Sequence, residues 1–274
     1  MALRNDRPIR GLKKAVQRAA ACMLAALLLA SAPDVASTDA FSAAAEAPRF
    51  SAELVKPGLY RISGPGGGTL LRLASHGLIV VDANRAGTYE ALTAEIRRIA
   101  RSSDVPVGAL ALTAAGPDQA GNVAQFLDAG IPVVVQRHAL ERLAPSTAAR
   151  RPTLISYESD YLLRVGDAAA EIEHVGSGRS GTDSVVLFPD LRVVAVGDLF
   201  TSGAPEPDCA SGGSFAGWAA AISHVLWSDF DIAVPSRGAP VGKRELAALQ
   251  ARLEALARRA DASAAGPADC PRPR

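Results

Sequence analysis

The chain has 274 residues, 49% of them hydrophobic and 21% charged, enough for one large two-layer domain or two modest ones around a packed core. Its formal net charge of +1 is uneven: residues 1–32 hold six of the 29 Lys/Arg and one of the 28 Asp/Glu, so the remainder carries 23 basic against 27 acidic side chains. A net-acidic body lacks the basic footprint that nucleic acid requires, and that class of partner is excluded.

The N-terminus reads as an export signal. A basic segment (Arg4, Arg7, Arg10, Lys13, Lys14, Arg18) precedes the apolar run Ala19–Ala30, which is too short to span a bilayer comfortably. Ala30-Ser31-Ala32 fits a signal-peptidase site, but Pro33 is a poor neighbour and moves the second candidate to Ala36. Residues 1–36 are therefore expected to be a signal peptide and 37–52 a linker rich in Ala, Ser and Asp. No Arg-Arg pair is present in this N-terminal segment, which favours general secretion over the twin-arginine route. Cys22 lies inside the apolar run, against a lipid anchor. The expected location is periplasmic or secreted, with membrane contact only through the signal. In such a compartment Cys209 and Cys270 either pair or stay as two free thiols. A bridge between them would be worth about 4 kcal/mol by loop-closure entropy.

No second linker interrupts residues 53–260, which predicts one domain followed by a small polar tail, 261–274. Leu59–Ile62, Thr69–Ala74 and Leu78–Asp82 have strand character, with turns at Gly64–Gly68 and Ser75–Gly77. Thr88 can N-cap a helix that places Leu92, Ile96 and Ile99 on one face. Val107–Leu112 is a buried strand, a helix follows at Val123–Leu127 with Gly130 closing it, and Pro132–Val135 is the next strand. The second half adds strands at Tyr161–Val165, Ala169–Val175, Ser184–Phe188, Val193–Val196 and Ile232–Pro235. Its helices are Phe215–Trp227, capped by Ser214, and a last one carrying Leu246, Leu249, Leu253 and Leu256. Periodicity alone supports an α/β sandwich.

Six ordered marks resemble the metallo-β-lactamase superfamily over roughly residues 55–258. Leu78-Ile-Val-Val-Asp82 resembles its strand ending in Asp. Thr113-Ala-Ala-Gly-Pro-Asp-Gln-Ala-Gly-Asn122 resembles the frame of its zinc loop, Thr-His-x-His-x-Asp-His-x-Gly-Asn. Gly176-Ser-Gly-Arg-Ser-Gly181 resembles the Gly-x-x-His-Thr turn, and Leu191–Phe200 the strand that delivers a bridging Asp. Gly212–Trp218 resembles the helix start after it, and Val234-Pro-Ser-Arg-Gly-Ala-Pro240 the final Val-Pro-Gly-His-Gly-Pro. The resemblance implies an αββα sandwich, two packed mixed sheets flanked by helices, with a site at one sheet edge.

Active members of that family bind one or two zinc ions. Here the ligand positions read Ala114, Gly116, Asp118, Gln119, Arg179, Asp198 and Arg237, with Ser180 in place of Arg179 if the alignment slips by one. Zinc takes neutral imidazole, thiolate or carboxylate donors, whereas Arg stays protonated and has no lone pair to offer. His76, His138, His174 and His224 lie elsewhere in the chain and read as ordinary surface or core residues. No cofactor is expected.

The implied fold should gather Asp118, Gln119, Arg179, Asp198 and Arg237. The guanidinium groups would then replace the zinc charge between two carboxylates, either as a fold-keeping cluster or as a site where Arg179 or Arg237 grips a carboxylate or phosphate. The sequence thus suggests an exported, zinc-free pseudoenzyme that binds a small anionic ligand or a partner protein. Its rival is a metal-dependent hydrolase of esters, amides or thioesters that uses zinc on Asp118, Asp198 and an unforeseen third ligand. Metal-free catalysis with Asp118 as general base ranks last. Ser177, Ser180 and Ser184 have no His partner at a recognisable spacing. Gly64–Gly68 leads into a strand, not a helix, so it is not a phosphate loop. Gly203–Gly213 is expected either to cover the site or to be a plain connection.

Overall fold

Gly77-Leu-Ile-Val-Val81 is apolar without alternation, the pattern of a strand covered on both faces, and all five residues are buried. It is strand β4 of a seven-stranded sheet in the computed structural model, which describes residues 49–102, 104–143 and 153–262. Strands β1 (Ser51–Lys56), β2 (Leu59–Gly64) and β3 (Gly67–Ala74) pair antiparallel up to β4 (Gly77–Val81). Beyond β4 the sheet turns parallel through β5 (Val107–Ala111), β6 (Val133–Gln136) and β7 (Leu154–Tyr157). The helices between these strands are α1 (Tyr89–Ala100), α2 (Pro117–Ala120), α3 (Val123–Asp128) and α4 (Arg137–Arg142).

The second sheet has the order β12-β11-β10-β9-β8. It is built from β8 (Asp160–Val165), β9 (Ala168–His174), β10 (Ser184–Phe188), β11 (Val193–Gly197) and β12 (Ile232–Pro235), with β11 and β12 parallel. Helices α5 (Phe215–Trp227) and α6 (Lys243–Ala262) follow β11 and β12 respectively.

Three apolar layers follow from this order. Leu59, Ile79, Val81, Ala111 and Val134 of the first sheet meet Ile172, Val186, Phe188, Val193 and Val234 of the second. The outer face of the first sheet packs Leu71, Val80 and Leu110 against Leu92, Ile96 and Phe126. The outer face of the second packs Val185, Val194 and Val196 against Trp218, Ile222, Leu246, Leu249 and Leu253. Helix, sheet, sheet, helix is the expected αββα sandwich.

Some local expectations change. β1 begins at Ser51, inside the segment read as linker, and α6 runs to Ala262, past the expected domain end. β1 is mostly exposed at the sheet edge and needs only the backbone of β2, so its sequence has little apolar signal. Thr88 stands at the N-cap position of α1 but its side chain caps nothing. Its hydroxyl instead donates to Arg85 O at 2.6 Å and accepts from Asn122 Nδ2 at 2.9 Å. Ser214 does cap α5, accepting from Gly217 N at 2.9 Å. Gly130, at φ +75°, turns the chain out of α3 as expected. The signal segment, Cys270 and nearly all of the tail lie outside the described residues. Cys209 is disulfide-bonded.

Candidate functional site

Loops from both sheets converge at the C-terminal ends of β4, β5, β9, β11 and β12, and backbone hydrogen bonds stitch them together. Ala83 N donates to Gln119 O at 2.6 Å, Ser184 N to Thr113 O at 2.8 Å, and Ser236 N to Gly197 O at 2.9 Å. Gly68 N donates to Ser236 O at 2.5 Å. A Cβ on Gly67 would lie 2.7 Å from that same carbonyl, so the glycine-rich β2–β3 hairpin is what lets the last loop settle on the first sheet.

A buried polar floor lies beneath these loops. Asp82 ends β4 in a left-handed conformation, φ +67°, which is unfavourable for a residue with a Cβ. Its carboxylate accepts Thr113 N at 2.8 Å and Thr113 Oγ1 at 2.7 Å, joining the ends of β4 and β5. Burial pushes this carboxyl up to about 7; the two Thr113 bonds oppose the shift and the charge of Asp198 adds to it. Asp183 accepts Ser180 N at 2.7 Å and Ser180 Oγ at 2.9 Å, which closes the turn between β9 and β10. Burial raises it to about 6; the Ser180 bonds and Arg179 oppose, and Asp198 adds. Asn122, fully buried, sends Nδ2 to Ala83 O, Arg85 O and Thr88 Oγ1. The Gly121-Asn122 pair is therefore structural: a Cβ at Gly121 would meet Ala86 N at 2.2 Å.

Above the floor stand the five residues singled out by sequence. Asp118, on the short α2, accepts Arg85 Nε on Oδ1 at 2.9 Å and Arg237 Nη2 on Oδ2. Arg179 Nη1 lies 3.6 Å from Asp198 Oδ2. Gln119 is buried and donates to Ser236 Oγ at 3.3 Å. Ser180 turns inward to Asp183 and Arg179 turns outward, so Arg179 is the residue of that turn whose charge faces the cleft.

Two arginines went unforeseen. Arg85 shares Asp118 with Arg237. Its signal was its place three residues after the strand-end Asp82, because β4 and β5 are adjacent and parallel and so release their loops side by side. Arg142 comes from α4, donates to Ser211 Oγ at 2.6 Å and carries no signal that separates it from any exposed helical arginine.

The Arg179–Asp198 pair is the common wall of two cavities. One, of about 250 Å³, is lined by Phe200, Glu206, Trp218 and Arg237 as well as the pair. The other, of about 240 Å³, is lined by Gln119, Arg142, Ser180, Thr182 and Asp208 together with the pair. The loop after Asp198 contributes Glu206 to the first cavity and Asp208 and Ser211 to the second. Asp208 N donates to Arg179 O at 2.7 Å, Gly181 N to Ser211 O at 2.7 Å, and a Cβ on Gly213 would overlap Arg179 O at 1.9 Å. The base of the loop is thereby locked to the Arg179 turn. Trp218 of α5 adds a strut from below, its Nε1 donating to Leu199 O at 2.8 Å.

Zinc does not fit this donor set. Only Asp118 and Asp198 offer anionic oxygens at the family's ligand positions, and Asp118 has both oxygens engaged by guanidinium groups. Among the described residues no three His, Cys, Asp or Glu side chains are grouped to hold a metal ion. The histidines work elsewhere: His174 Nδ1 lies 2.8 Å from Asp183 O, and His224 Nε2 lies 3.1 Å from Glu173 Oε2. His138 stacks edge-on to His174 at 6.5 Å.

No family model matches this sequence, and no curated protein matches it. Solved structures do. The chain is similar to a metallo-β-lactamase from Pontibacter korlensis, with a TM-score of 0.63 and 17% identity over 75% of this chain and 99% of that one. It is similar to the DIM-1 metallo-β-lactamase at TM-score 0.64 and 16% identity, covering 76% and 98% of the two chains. TMB-1 gives TM-score 0.64 and 14% identity over 76% and 98%. At such identities the likeness establishes the metallo-β-lactamase fold and leaves function to the site.

Proposed function

We propose that this chain is a non-hydrolytic member of the metallo-β-lactamase fold, a pseudoenzyme that binds the anionic group of a small molecule through Arg179 and Arg237. One observation carries this reading. The two guanidinium groups wall a single cavity, and Arg179 meets Asp198 at 3.6 Å, beyond hydrogen-bond length. A guanidinium carries five N–H donors in a planar fork, so most of those of Arg179 remain available for a bidentate grip on a carboxylate or phosphate. Arg237, tied to Asp118, adds positive charge to the same wall.

Hydrolysis in the zinc enzymes of this fold class rests on a metal-activated water, which needs about three protein ligands and an open position. Two ion-paired carboxylates do not supply that. Asp118 is also poorly placed to act alone as a general base, since both its oxygens already accept from arginines. The basic segment and the Ala19–Ala30 run support work outside the cytoplasm; N-terminal sequencing of the mature protein tests this.

The first experiment is the metal content of the mature protein after growth and dialysis in excess zinc, followed by calorimetric titration with inorganic phosphate and with short carboxylates. A zinc ratio near zero, with anion binding that disappears in Arg179→Ala, supports the proposal. A zinc ratio of one or two that vanishes in Asp118→Ala/Asp198→Ala would overturn it and restore the hydrolase of esters, amides or thioesters. No anion binding at all would overturn the ligand assignment.

A further inference from the structure

Neither His138 nor His174 lines the cavities at Arg179, yet the two rings meet each other. His138 stands in the first turn of α4, which follows a strand of the first sheet, and His174 ends β9 in the second. Their ring centres lie 6.5 Å apart, with the planes inclined at 60°. His174 Nδ1 lies 2.8 Å from Asp183 O. A carbonyl oxygen only accepts, so this nitrogen carries the hydrogen, and in the neutral ring the lone pair stands on Nε2. No described residue forms a hydrogen bond with that Nε2. His138 is 61% exposed, and the nearest carboxylate oxygen, Glu141 Oε2, is 3.9 Å from its Nδ1, beyond hydrogen-bond length. An imidazole held through one nitrogen on a backbone carbonyl, with the other nitrogen bare, is how proteins orient histidine toward a metal.

We infer that His138 and His174 Nε2 form a binding site for one copper(II) ion where α4 meets β9. The spacing suits it. With metal–nitrogen bonds of about 2 Å, two imidazoles on opposite sides of one ion have ring centres roughly 6 Å apart. The observed separation is just outside this, and a small rotation of the exposed His138 closes it. No third His, Cys, Asp or Glu is grouped with the pair among the described residues, and this selects the metal. Two protein nitrogens fall short of the three or four ligands with which proteins hold zinc. Copper(II) heads the affinity order for nitrogen donors and accepts a tetragonal set completed by water. The site does not depend on what the Arg179 cleft binds.

The test is calorimetric titration of the mature chain with copper(II) in a non-coordinating buffer at pH 7.5, with electron paramagnetic resonance of the loaded protein. One ion per chain should bind, with hyperfine coupling to two nitrogens. His138→Ala and His174→Ala should each weaken binding at least about tenfold, because a single imidazole then remains on the ion. His76→Ala/His224→Ala should change nothing. His138 is exposed on the surface, so its variant remains a fair test even if His174→Ala fails to fold. Copper binding that survives His138→Ala undiminished would overturn the assignment. So would copper that is lost only in Asp118→Ala/Asp198→Ala, which would place the ion in the cleft, or a chain that binds no copper.

Discussion

Between pH 4 and 7 this fold should lose stability as the pH rises, the reverse of ordinary acid denaturation. The cause is the pair of buried carboxyls under the site. Asp82 is raised from an ordinary 3.8 to about 7, and Asp183 from 3.8 to about 6, mainly by burial. A carboxyl raised in the folded state keeps its proton there after the unfolded chain has released it, so stability is fully present below about 4. It is lost progressively up to the folded value. At ~1.4 kcal/mol per pH unit the Asp82 interval amounts to roughly 4 kcal/mol. For a domain of this size that is on the order of 10 °C in Tm. Asp82→Asn is the perturbation. Its Oδ1 can still accept Thr113 N, and the Thr113 hydroxyl can reverse and accept from the new amide. Scanning calorimetry of wild type and variant from pH 5 to 7 should show a falling Tm in the wild type and a distinctly flatter line in Asp82→Asn. A carboxyl ¹³C titration of Asp82 with a midpoint near neutrality would agree. Parallel Tm lines for the two proteins, or an Asp82 carboxyl that titrates near 4, would refute the reasoning.

Other consequences are simpler to check. Gly217→Ala should destabilise by more than the ~1 kcal/mol that helix propensity would add, because the new Cβ would sit 2.0 Å from Ser177 O; a raised Tm in thermal unfolding would contradict the packing. Trp218→Phe should lower stability by about 1–3 kcal/mol in urea unfolding, since it orphans the Leu199 carbonyl in a buried contact. Arg237→Ala alone should change stability by no more than about 1 kcal/mol, because its guanidinium is 59% exposed. Arg85→Ala/Arg237→Ala should cost more than either single change, since Asp118 is only 20% exposed and would lose both partners. Strict additivity in urea titrations would argue against the guanidinium pair as a joint replacement for metal charge.

Much of the architecture was legible from local pattern. The apolar runs Leu78–Asp82 and Val107–Leu112 announced strands β4 and β5. The stripes on α1 and α6 announced helices lying on a sheet, and turn glycines placed most of the boundaries. β1 escaped because an edge strand lives on backbone hydrogen bonds and leaves little apolar trace. Thr88 misled because a residue type suited to capping was taken by a tertiary demand, the amide of Asn122 arriving from another loop.

What the sequence by itself determined is the chemistry available at the site: Arg179 and Arg237 at positions that resemble histidine positions of zinc enzymes of this fold class, and Asp118 and Asp198 at positions where those enzymes also carry Asp. What only the tertiary structure decided is how those charges pair. Asp118 could have been left bare beside Arg237, yet it is shared with Arg85, thirty-three residues away in the chain. Arg179 could have met Asp118, and it leans on Asp198 instead. Glu206, undistinguished in the sequence, stands over the same cavity. The physical reason is that ion pairing depends on distance and burial across loops from both sheets, and neither is written in the spacing of residues along one chain.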